Sequence, residues 1–139
     1  EMSSVKIRNR ISEMPKIIEY FESFARENDL HRASIQKFNI VLDELLNNII
    51  SYAFKDDDEH DILVKFQLKY LRLIITIEDD GIPFNPFRTE SPDIELSISE
   101  RNLGGLGVHI VKNLVDEYHY IRQSNRNIIN LIKYNINSN

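Results

Sequence analysis

The chain has 139 residues, 42% hydrophobic and 28% charged, with 17 basic against 22 acidic side chains and a net charge of −5. That length suits one domain, residues 1–139, with a sizeable core, and the acidic balance without a basic patch argues against direct nucleic-acid binding. With no cysteine, a disulfide framework, a zinc-thiolate site and cysteine catalysis are excluded, and no run reaches transmembrane length, so a cytoplasmic protein without membrane association is expected.

Ser4 to Ile11 alternates, with Val5, Ile7, Asn9 and Ile11 on one side and Lys6, Arg8 and Arg10 on the other, which predicts a half-buried strand. A first helix is expected from Pro15 to Asp29, with the proline in its first turn, where the missing N–H costs little. A second runs from about Arg32 to Phe54, its core stripe formed by Ile35, Phe38, Leu42, Leu45, Ile49 and Ala53. The acidic run Lys55 to Asp61 reads as a solvated turn without calcium-loop spacing. Two strands follow, Ile62 to Tyr70 and Arg72 to Glu78, close enough for an antiparallel hairpin.

From Asp79 to Gly107 the periodicity fades, and this stretch holds all four glycines and three of the four prolines. Such a segment in a small domain reads as a functional loop or lid. Helical spacing returns from Leu106 to Glu117, and Tyr118 to Gln123 with Asn127 to Ile136 form a second hairpin around Ser124 to Arg126. This order of elements suggests an α+β two-layer sandwich, a mostly antiparallel sheet with helices on one face.

Three short stretches at element junctions carry the candidate chemistry. Glu44 and Asn48 are four apart on the second helix, so a carboxylate and a carboxamide stack about one turn from each other beside the apolar stripe. Such a pair is either a solvated polar edge of the helix or a holder of a water and a hard cation. The second stretch is Asp79-Asp80-Gly81-Ile82-Pro83-Phe84, after a buried strand. Asp79 there can accept a hydrogen bond from a planar donor such as an exocyclic amine, and Gly81 permits close backbone approach. The third, Gly104-Gly105-Leu106-Gly107 followed by Val108, opens a helix, where exposed N–H groups and the helix dipole favour phosphate oxygens. It lacks the lysine and hydroxyl of a P-loop and the spacing of a dinucleotide fingerprint. The four histidines show no metal-ligand spacing, and His109 and His119 read as surface or packing residues.

Together the three stretches resemble the Bergerat-type ATP-binding fold, which includes gyrase, histidine kinases, heat-shock chaperone ATPases and mismatch-repair ATPases. Glu44-x-x-x-Asn48 resembles its N-box, Asp79-x-Gly81 its first glycine box, and Gly104 to Gly107 its second. The run from Arg101 to Glu117 and the closing S-N-R-N-I-I-N-L-I-K look most like the stand-alone bacterial anti-sigma factor and serine/threonine protein kinase branch. The resemblance implies that Asn48 binds Mg²⁺, which bridges the ATP phosphates, and that Glu44 is the general base. It implies that Asp79, with Gly81 and Phe84 beside it, receives adenine, and that Gly104, Gly105, Leu106, Gly107 and Val108 form the phosphate turn. Asn85 to Leu103 is then the ATP lid, with Arg101 reaching a phosphate or a partner. Two positions depart from the branch. Tyr52 stands where histidine is common, and Asn127-Ile128 lies where many members carry Gly-Thr, whose threonine supports the adenine-binding aspartate.

The function so implied is an ATP-dependent serine/threonine protein kinase that acts as an anti-sigma factor and phosphorylates a small antagonist (anti-anti-sigma) protein. A sigma factor is a second implied partner. A homodimer is also compatible with the family, with the sheet edge near Ser4 to Ile11 as one candidate surface. The alternatives are a non-catalytic nucleotide-gated module and a nucleotide-free protein-binding module of the same fold.

Overall fold

The structure is a computed structural model that describes residues 2–88 and 103–137. Its five strands are β1 (Met2–Arg8), β2 (Asp61–Lys69), β3 (Arg72–Asp79), β4 (Glu117–Gln123) and β5 (Arg126–Lys133). Its three helices are α1 (Met14–Glu27), α2 (Arg32–Tyr52) and α3 (Leu103–Leu114). The strands form one sheet in the order β1-β2-β3-β5-β4, and every pairing is antiparallel. The fold is therefore the expected α+β sandwich.

Alternation within the strands decides which face is covered. Ile62, Val64 and Phe66 of β2, Leu73, Ile75 and Ile77 of β3, and Ile129 and Leu131 of β5 are buried on the helix side. The intervening residues, such as Lys65 and Glu78, point to the other face, where their side chains pair at 3.3 Å. On the covered side Phe21 and Phe24 of α1 meet Phe66 at ring-centroid distances of 5.2 and 5.8 Å. Of the predicted α2 stripe, Phe38, Leu42, Leu45, Ile49 and Ala53 are buried, and Ile35 packs half-buried against them.

Several boundaries differ from the sequence reading. The first strand ends at Arg8 because its partner begins there, Arg8 opposing Asp61. The alternation through Ile11 has nothing to pair with, and Ile11 is 52% exposed in a 3₁₀ turn, Ile11–Glu13. Helix α3 begins at Leu103 rather than Leu106 and stops at Leu114 rather than Glu117, since glycines give the first turn no side-chain pattern to read. The last strand stops at Lys133, beyond which Ile136 folds back into the core and donates its N–H to Leu71 at 2.9 Å.

The C-terminal tail also holds the start of α2. Asn137 Oδ1 accepts the His31 N–H at 2.9 Å, and Ser34 Oγ donates to the Ile136 carbonyl at 2.6 Å. The long central helix is thereby fixed at the end far from Glu44, Asn48 and Ala53.

Candidate functional site

Helix α2 buries Asn48 to 2% exposure, because position 48 falls beside the core stripe. Its Nδ2 donates to the Glu44 carbonyl at 2.7 Å, which fixes which way the carboxamide points. Its Oδ1 is buried without a hydrogen-bond partner among the described residues. An orphaned buried acceptor costs about 1–3 kcal/mol and asks for a ligand to explain it. A single amide oxygen fits a hard cation that keeps most of its own waters, as Mg²⁺ does. One turn earlier, the Glu44 carboxyl sits above its ordinary pKa, first through burial and then through Asp43 beside it.

The glycines are explained by space. No described glycine has a positive φ. A Cβ on Gly107 would collide with the Glu44 carboxylate, and one on Gly81 would collide with the Ala53 carbonyl at the end of α2. Ile82 N–H donates to that same carbonyl at 2.8 Å, so the turn after β3 is fastened to the helix end. Phe84 meets Tyr52 with ring centroids 6.0 Å apart. Both glycine turns thus converge on one helix: Gly107 on Glu44, Gly81 on Ala53, Phe84 on Tyr52.

Helix α3 places Gly104 and Gly105 in its first turn, where backbone N–H groups have no partner within the helix, and Leu106 is the first whose N–H enters the helical ladder. Gly107 lies one step further, where the N–H belongs to the helical ladder. A side chain at this position would meet the Glu44 carboxylate. Val108 next to it is a core residue, 1% exposed. Arg101, and the lid from residue 89 to 102, lie outside the described residues. The first lid residues are packed down: Pro86–Arg88 form a 3₁₀ turn, Phe87 is buried, and its ring is 4.8 Å from that of Tyr118.

Asp79 is 1% exposed because it continues the inward phase of Leu73, Ile75 and Ile77. Directly opposite on β5 stands Asn127, and opposite Asn127 on β4 stands Arg122. This cross-strand row was missed as a site, and Asn127 is its centre. Its Nδ2 donates to Asp79 Oδ1 at 2.9 Å and to the Ile82 carbonyl at 2.8 Å. Its Oδ1 accepts from Tyr120 OH at 2.6 Å, Arg122 at 3.1 Å and the Phe84 N–H at 3.2 Å. Both donors of the carboxamide are spent, and its oxygen is fully engaged. The signal was present in the sequence: Asn127 is in phase with Ile129 and Leu131, a polar residue at a core position of a strand end.

Asp79 Oδ1 also accepts the Gly81 N–H at 2.8 Å. Among the described residues both bonds to this carboxylate fall on Oδ1. Burial raises the Asp79 carboxyl above its ordinary pKa, opposed by the bonds from Asn127 and Gly81. At the position where Gly-Thr is common in that branch, the Asp79 carboxylate is held by the Asn127 carboxamide in place of a hydroxyl.

Architecture and motif placement together define the class, a histidine kinase-like ATPase domain of the Bergerat type. The chain belongs to this family, whose sequence model matches residues 7–133. It is 28% identical over 102 residues to the serine/threonine-protein kinase BtrW of Bordetella bronchiseptica, covering 70% of each chain. It is also 28% identical over an alignment of 152 positions to the anti-sigma F factor of Bacillus cereus, covering 96% of this chain and 97% of that one. Among solved structures, that of the RsbU and RsbW domains of Rv1364c from Mycobacterium tuberculosis superposes with a TM-score of 0.69 at 12% identity, over 96% of this chain. The chain spans about a third (32%) of that one, and the likeness shows the fold.

Proposed function

We propose that the protein is an ATP-dependent serine/threonine protein kinase that acts as an anti-sigma regulatory factor and phosphorylates a small antagonist protein. The observation that carries this reading is the orphaned Asn48 Oδ1, buried one helical turn from the Glu44 carboxylate. The names of the relatives support the same activity.

In this reading the γ-phosphoryl group passes from Mg-ATP to the antagonist's hydroxyl and ADP is the leaving group; Asn48 would be the protein's ligand to the cation. Asp79 Oδ2 accepts the adenine amine, and Asn127 holds the carboxylate from behind through Oδ1. The N–H groups of Gly104 and Gly105, in the first turn of α3, would receive the phosphates. Glu44 accepts the proton of the attacking serine or threonine hydroxyl. Its pKa, raised first by burial and then by Asp43, makes it a stronger base than an ordinary carboxylate. Sequestration of a sigma factor is the second activity in this reading, and the antagonist competes for the same protein.

The test is transfer of labelled γ-phosphate to a candidate antagonist by wild type and by Glu44→Gln. The variant is expected to bind ATP as tightly as wild type and to lose transfer by about 10²–10⁴-fold. Undiminished transfer refutes the base assignment. Tight ATP binding by wild type without transfer to any antagonist makes the protein a nucleotide-gated binding module instead.

A further inference from the structure

The loop between α2 and β2 is tied to the turn after β3 by one imidazole. His60 Nε2 lies 2.7 Å from Asp56 Oδ1, and His60 Nδ1 lies 2.9 Å from Asp80 Oδ1. Ionised carboxylates only accept hydrogen bonds, so both ring nitrogens must donate, and the ring is an imidazolium. It is stacked on Phe54, with centroids 4.9 Å apart, an arrangement that favours a cation. The backbone of His60 is fixed as well: its N–H donates to Asn9 Oδ1 at 2.9 Å, and its carbonyl accepts the Asn9 N–H at 3.0 Å. One residue therefore joins the end of β1, the end of α2, the acidic loop and Asp80, the neighbour of Asp79.

The other ties on the Asp79–Ile82 turn come from the far side. Arg122 donates to the Gly81 carbonyl at 2.7 Å, Asn127 binds Asp79 and the Ile82 carbonyl, and the Ala53 carbonyl takes the Ile82 N–H. Backbone and carboxamide groups do not titrate, and an arginine keeps its charge. His60 is the tie on this turn whose charge changes between pH 5 and 8 in its unperturbed form. The charged groups around it are Asp56 and Lys55 on its loop, Asp80 on the turn, and Arg122 from β4, which line one cleft of about 420 Å³. Asp79 lies behind Asp80. From the β1 side, Arg8 and Arg10 are paired with Glu59, and Arg8 also with Asp61.

We infer that His60 is a positioning residue for the adenine-receiving turn: as an imidazolium bridging Asp56 and Asp80 it holds Asp79 and Gly81 in place, and on losing its proton it lets that turn loosen. The inference rests on the nucleotide reading above for its functional consequence, but the bridge can be tested without nucleotide. The hydrogen bonds to Asp56 and then to Asp80 raise the imidazole above its usual pKa, against the opposing effect of burial, and His60 lowers Asp56 in return. The sign follows: the bridge is intact at low pH and is lost as pH rises through the raised His60 value.

The experiment is an NMR titration of wild type from about pH 6 to about 9, following the His60 ring and the Gly81 and Ile82 amides. In parallel, Mg-ADP affinity is measured by calorimetry at each pH for wild type, His60→Gln and Asp80→Asn. The Gly81 and Ile82 amides are expected to shift with the His60 midpoint, and Asp80→Asn to lower that midpoint. Affinity in wild type should fall about two- to fivefold across the same midpoint, the scale of a solvent-accessible charged tie. It should be flat across that window in His60→Gln. Amides that ignore the His60 titration overturn the inference whatever the nucleotide does, as does a wild-type affinity profile that His60→Gln reproduces. Absence of Mg-ADP binding to wild type at every pH, with the amides still following His60, refutes the nucleotide reading and with it the adenine role of the bridge.

Discussion

Strand alternation brings Asp79 to a core position, and Asn127 makes that position tolerable for a carboxylate. Because burial raises its folded pKa, ionised Asp79 lowers stability. The group's favourable contribution is full below the ordinary carboxylate range and is lost as pH rises through the raised value. Asp79→Asn keeps an acceptor for Asn127 and Gly81 but turns the other atom into a donor. Without ligand, the variant is expected to melt at or above the wild-type temperature at neutral pH, and that advantage should vanish below about pH 4. Its stabilisation by Mg-ATP should be absent. Thermal melts with and without nucleotide at the two pH values check both halves. Asn127→Ala strips partners from Asp79, Tyr120, Arg122 and two backbone groups at once. A loss of about 3 kcal/mol is expected, readable in urea unfolding as a lower midpoint with an unchanged slope.

At the scale of elements, α2 is the member on which the other parts of the site are set. The contact between α2 and α3 is tight at Glu44 and Gly107, where a methyl group has no room. Gly107→Ala is expected to push aside the Glu44 carboxylate, the far end of a flexible side chain, at a cost of less than about 1 kcal/mol in stability. In a Glu44→Ala background the same methyl meets nothing and should be neutral or slightly stabilising, as alanine is in a helix. A double-mutant cycle that shows coupling between the two positions supports this contact, and additive effects refute it. Phosphotransfer by Gly107→Ala alone should fall with nucleotide still bound, separating the placement of the base from nucleotide affinity.

For the molecule as a whole, the functional turns lie where the sheet, α2 and α3 meet, and the tail that holds the start of α2 lies at the helix's other end. A ligand bridging these elements stabilises all of them together. Mg-ATP at about 100 times its dissociation constant is expected to add about 2.7 kcal/mol, a shift of several degrees in a domain of this size. A scan of melting temperature against nucleotide concentration measures it, and no shift at millimolar Mg-ATP removes the nucleotide from the reading. Among the described residues, no helix is long and apolar enough to cross a membrane.

The sequence by itself determined the elements and their order, because periods of 3.6 and 2 are written directly in Phe38, Leu42, Leu45 and Ile49 and in Leu73, Ile75 and Ile77. It also carried Glu44 with Asn48, Asp79 with Gly81, and the glycine turn, since each is a local pattern within a few residues. Boundaries were less legible where the pattern outran the pairing, as at Ile11, or where glycine left no pattern, as at Leu103. Only the tertiary structure decided that Asn127 backs Asp79, that Gly107 makes room for Glu44, and that His60 spans Asp56 and Asp80. These contacts join residues 48, 63 and 20 positions apart in the chain, in the first and last cases as hydrogen bonds. Contacts of that kind depend on strand register and helix packing, which no local period encodes.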